Sequence, residues 1–151
     1  MHRQPCRILL AEDDTVDARA FHRAMGKLGV DVPVTVACDG LDAWEILKGQ
    51  GAEPAFPTAG SMLVLDINMP RMSGLELLRR IRDDAGLADA VVFVMTTSEN
   101  ENDRVIACDL NVAGYILKSD LQPGLAKAFA LMQDCAAGRE PLADWAFDPP
   151  R

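Results

Sequence analysis

No apolar run in this 151-residue chain approaches the length needed to cross a membrane. The first one, at residues 8–11, is cut off by Glu12, Asp13 and Asp14 before it could serve as a signal peptide, so a cytoplasmic protein is expected. Basic residues are in deficit: 15 Lys and Arg face 23 Asp and Glu, for a formal charge of −8. A surface of that sign repels nucleic acid and anionic lipid, so neither is expected as a partner, and it suits cations and basic protein patches instead. The four cysteines, Cys6, Cys38, Cys108 and Cys135, form no C-x-x-C pair and have no histidine nearby. That spacing argues against a zinc or redox centre and predicts reduced, mostly packed thiols. No glycine-rich phosphate loop follows the first apolar run, which disfavours a flavin- or nucleotide-binding module.

With 49% hydrophobic and 25% charged residues, the chain has the make-up and length of one globular domain. Short apolar runs alternate with longer amphipathic stretches. Strands are predicted over residues 7–11, 33–37, 61–66, 90–95 and 114–117. Helices are predicted over 15–28, 41–48, 75–82, 99–110 and 121–137, with Gly29 and Gly138 as stops and Ser98 with Glu101 as a capping box. The first helix is expected to turn Val16, Ala20, Phe21, Ala24 and Leu28 inward, and the second Trp44 and Leu47; the third carries a basic face. Residues 49–60, rich in Gly and Pro, form a loop. Strands separated by helices require crossovers, which give a parallel α/β sheet covered on both faces.

Ligands of such sheets bind beyond the carboxyl ends of the strands, and the chemistry-bearing residues fall there. Glu12, Asp13 and Asp14 follow the first strand, Asp66 ends the third, Thr96 and Thr97 end the fourth, and Lys118 ends the fifth. Carboxylates packed together repel unless a cation lies among them, and an all-oxygen set favours a hard ion such as Mg2+. The ion alone has no use for a hydroxyl and an ammonium. A phosphoryl group does, because its oxygens carry more charge than one ion neutralises, so Asp66 is a candidate phosphoryl acceptor. Asp14, Asp17, Asp39 and Asp120 are read as ordinary helix caps or solvated acids.

On these residues the chain resembles the receiver domain of two-component response regulators. The motifs are ILLAEDD, LDINMPRMSG, VMTTS and YILKS, with 30 residues from Asp66 to Thr96 and 22 from Thr96 to Lys118. The resemblance spans about residues 6–137 and implies a flavodoxin-like five-stranded parallel sheet in the order 2-1-3-4-5. It implies that Asp66 is phosphorylated, that Glu12, Asp13, Asp66 and the Asn68 carbonyl hold Mg2+, and that Lys118 pairs with the phosphoryl group. Thr96 and Tyr115 become the switch pair, and Pro70 and Gly74 shape the turn near Asn68. The implied partners are a cognate histidine kinase and a downstream protein. The chain would be a phosphoryl-accepting signalling domain and not an enzyme.

The chain also departs from the family. Ser119 stands where proline usually follows the lysine, leaving the isomer of the Lys118–Ser119 bond open, and the 49–60 loop is longer than the minimal one. Residues 1–138 are assigned to the receiver and 139–151, with Trp145 and Phe147, to an extension that either folds back or acts as a dimerisation arm. The face of the fourth helix, fifth strand and fifth helix is the other candidate homodimer surface. The long loop, the TTS and KS variants, the apolar tail and the lack of an attached output domain resemble single-domain regulators serving phytochrome-type histidine kinases. Chemotaxis-type and phosphorelay-shuttle receivers are alternatives. A haloacid-dehalogenase-like phosphatase is an alternative of another class, but it would place the nucleophile in D-x-D after the first strand. Here the acceptor is on the third strand, and Asn68 cannot relay a proton.

Overall fold

A computed structural model describes residues 7–51, 53–97 and 101–136. Strands β1 (Ile8–Ala11), β2 (Val34–Ala37), β3 (Met62–Asp66), β4 (Val91–Thr96) and β5 (Gly114–Leu117) form one parallel sheet in the order β2-β1-β3-β4-β5. Helices α1 (Thr15–Lys27), α2 (Gly40–Lys48), α3 (Gly74–Asp83), α4 (Glu101–Asp109) and α5 (Leu121–Ala136) supply the crossovers. The flavodoxin-like order is therefore the one found. A short 3-10 turn at Lys118–Asp120, absent from the sequence expectation, precedes α5, and the Lys118–Ser119 bond is trans.

Alternation along the strands divides the core into two layers. Ile8, Leu10, Met62, Val64, Phe93 and Ile116 face α1 and α5. Leu9, Ala11, Leu63, Leu65, Val92 and Val94 face the layer that holds Leu47 of α2 and Leu77 of α3. Because both faces are covered, the central strands have near-continuous apolar sequences with no polar stripe. Phe93 is wholly buried, and truncating such a residue to alanine costs about 3–5 kcal/mol.

Local chemistry sets the ends of the elements. Asp14 caps α1 by accepting from the Val16 and Asp17 amides, Asp39 caps α2 through Asp42, and Ser73 caps α3 through Glu76. Gly49 ends α2 at φ 69°. Four expectations are corrected. Val16 is 64% exposed, since it sits on the first turn of α1 beyond the sheet. The edge strand β2 leaves Thr35 and Val36 exposed, so cover is complete only for the inner strands. Cys38 and Cys108 are exposed, one just past β2 and one on the outer side of α4. Arg82 is turned into the fold, away from the basic face of α3: it donates to the carbonyls of Ala88, Ala90, Leu110 and Asn111. The capping residue Ser98, the stop at Gly138 and the extension with Trp145 and Phe147 lie outside the described residues.

Candidate functional site

Strand register brings the acids together. Ala11 lies opposite Leu65, so Glu12, one residue on, comes level with Asp66; Asp66 lies opposite Met95 and Thr96 opposite Leu117, which sets Lys118 just past the end of β5. The result is a cavity of about 210 Å³ lined by Glu12, Asp13, Asp14, Asp17, Asp66, Asn68, Thr97 and Lys118. Gly74 is needed behind it, because a Cβ there would lie 2.0 Å from the Asp66 carbonyl oxygen. The Gly74 amide donates to Ile67 O at 2.9 Å, which folds the β3–α3 loop tightly beneath Asp66. Within that loop Arg71 adopts φ 63°, and its Nε donates to the buried Asp39 carboxylate at 2.6 Å. The Arg71 guanidinium holds the Asp39 carboxyl below the usual carboxylate range.

Among the described residues, Lys118 carries the only side-chain ammonium lining the cavity. Its Nζ is 2.6 Å from Glu12 Oε1, 2.7 Å from Asp17 Oδ2 and 3.1 Å from Asp66 Oδ2. Burial acts to lower its pKa, but the Asp17 and Glu12 carboxylates outweigh that and hold it above the ordinary lysine value. Burial pushes the Glu12 carboxyl up, to about 7, and Asp66 adds to the rise against the Lys118 ammonium. Asp66 is 4% exposed and accepts weakly from the Asn68 amide at 3.3 Å.

The structure thus gathers Glu12, Asp13, Asp66, Asn68 and Lys118 as the sequence suggested. Thr96 is wholly buried at the end of β4 and does not line the cavity, whereas the exposed Thr97 does. Tyr115 is also buried, on the α4 side of β5, with the Arg104 guanidinium 5.4 Å from its ring centre. Asp17 is the residue missed: read as a solvated acid, it is an ion-pair partner of Lys118. The available signal was its place in the first turn of a helix that begins just past the acidic pair.

The donor set fits a divalent cation. Ligand oxygens of Glu12, Asp13 and Asp66 lie within 4.8 Å of one another. Glu12 Oε1 is buried and, despite its close charge contact with Lys118, receives no aligned hydrogen bond. A hard cation is what such a grouping of carboxylates calls for.

Residues 8–129 match the family model of the response regulator receiver domain. The chain belongs to that family. This receiver is 34% identical over 115 residues to the response regulator Rcp1 of a Synechocystis strain, covering 76% of this chain and 78% of Rcp1. The structure of the Mn2+-bound form of Rcp1 superposes with a TM-score of 0.67 at 32% identity, covering 88% of this chain and 93% of that one. The bacteriophytochrome response regulator AtBRR gives a TM-score of 0.73 at 28% identity, covering 85% and 92%. Receivers are signalling domains of two-component systems, and this chain is homologous to phytochrome-associated regulators. The phosphatase alternative is set aside by that membership. Among the described residues no helix is long and apolar enough to cross a membrane.

Proposed function

We propose that Asp66 takes a phosphoryl group from the phosphohistidine of a histidine kinase, in the cytoplasm and downstream of a phytochrome-type sensor. The observation that carries this reading is the placement of the Asp66 carboxylate: buried, beside two further acids, 3.1 Å from the Lys118 ammonium and open to a small cavity. An Asp66 carboxylate oxygen forms the new P–O bond while the P–N bond to histidine breaks, and the imidazole leaves with the electron pair. Glu12, Asp13, Asp66 and the Asn68 carbonyl would hold Mg2+, which when bound neutralises charge on the phosphoryl oxygens. The Mn2+ in Rcp1 supports a divalent ion in this family. Lys118 supplies a fixed positive charge opposite the ion, worth most in a site that excludes bulk water.

Thr96 would then shift toward the phosphoryl oxygens and Tyr115 would follow into the space it leaves. That movement would alter the surface of α4, β5 and α5 for a downstream protein or a second copy. Resemblance to Rcp1 and AtBRR supports the phytochrome assignment. Incubation with acetyl phosphate and Mg2+ should label the wild-type chain and leave Asp66→Asn unlabelled; equal labelling of both would defeat the assignment. Deleting residues 139–151 and measuring mass by light scattering tests the arm, which is excluded as a dimer contact if the oligomer survives the cut.

A further inference from the structure

The mechanism above uses Glu12, Asp13, Asp66 and Lys118, yet beside Glu12 and Asp66 a third carboxylate holds the same ammonium. Asp17 reaches in from the first turn of α1, and its Oδ2 is 2.7 Å from Lys118 Nζ, closer than Asp66 at 3.1 Å. Asp17 lies outside the group of acids whose oxygens could share a cation. Its side chain is 35% exposed and caps nothing. We propose that Asp17 is a positioning residue that draws the Lys118 ammonium toward α1 and away from the phosphoryl position, limiting the hold of the site on an anion at Asp66. This rests on the reading of Asp66 as the phosphoryl acceptor and deepens it.

The physical reason is competition for one charge. A carboxylate in contact with the ammonium cancels part of its field at any anion arriving on the far side. Because Asp17 is at the rim, water and salt screen the effect, and the gain from removing it is moderate.

Beryllofluoride, a stable anionic mimic of a phosphoryl group on a carboxylate, is the probe. The full chain, Asp17→Asn and Asp17→Glu are titrated with it at saturating Mg2+ and low ionic strength, with the bound species followed by 19F NMR. Asp17→Asn should bind about fivefold tighter than wild type, the scale of an exposed ion pair. Asp17→Glu, which keeps the charge, should stay near wild type, and a thermal melt of each variant confirms the fold. Unchanged affinity in Asp17→Asn overturns the proposal, because the ion pair would then be a surface contact only. Weaker affinity overturns it too, since Asp17 would be aiming the ammonium at the anion. A wild-type chain that takes up no beryllofluoride would defeat the underlying reading of Asp66, and this inference with it.

Discussion

Arg82 and Lys118 are both drawn into this fold, and they are treated in opposite ways. Arg82 leaves α3 and meets four backbone carbonyls at 2.6–3.0 Å, all neutral acceptors that close the ends of the β4 and β5 crossovers. Burial pulls its pKa below the ordinary arginine value against the opposing charge of Asp89, and among the described residues no carboxylate is in ion-pair contact with it. Lys118 meets three carboxylates, and burial leaves the Glu12 carboxyl raised. A charge satisfied by neutral dipoles is a staple. One ammonium shared among an excess of acids leaves negative charge that a cation can neutralise.

The contrast predicts that the two cations fail differently when removed. Lys118→Ala should slow phosphoryl uptake from acetyl phosphate on the order of 10²–10³-fold, as loss of a preorganised charge at a reacting group does, and should also lower the urea midpoint, because the buried Glu12 and Asp66 lose their counter-charge. Retention of the wild-type rate would deny the lysine its role. Arg82→Ala should cost about 2–3 kcal/mol of stability because the carbonyls lose a charged donor, but leave the labelling rate of the folded protein unchanged. Urea denaturation beside a labelling time course measures both, and a slowed rate at unchanged stability would undo the distinction.

A smaller effect follows from Glu12. Its carboxyl is raised in the folded chain from 4.5 to about 7, so between those values the metal-free fold holds a proton that the unfolded chain has released. This group's contribution to stability therefore grows as pH falls from 7 toward 4.5, and is lost as pH rises through 7. Mg2+ must displace that proton, so its affinity should fall by up to about tenfold per pH unit below 7. Calorimetric titration of Mg2+ at pH 6 and pH 8 checks this, and equal affinities would show that Glu12 is not titrating there.

Much of the architecture was legible because the inner strands are apolar on both faces, and four-to-six-residue runs between turn signals have few other readings. The acids at the strand ends were legible for a related reason: an interrupted apolar run marks where the chain leaves the core. Edges and ends were read less well. Val36 looks like any strand valine until the sheet order makes β2 the outer strand. Val16 fits the helical stripe, yet on the first turn of α1 it is exposed.

Hydrophobic alternation, turn residues and strand-end acids, all local properties, were enough to specify the element types and which carboxylates would gather. Pairing across the fold assigned the rest. Asp17 and Lys118 are 101 residues apart and Arg82 bonds a carbonyl 28 residues away, separations at which no local pattern distinguishes a partner from solvent. Whether a charged side chain is solvated, stapled or held in competition depends on what the packed strands and helices bring within about 3 Å of it, and only the folded chain sets that distance.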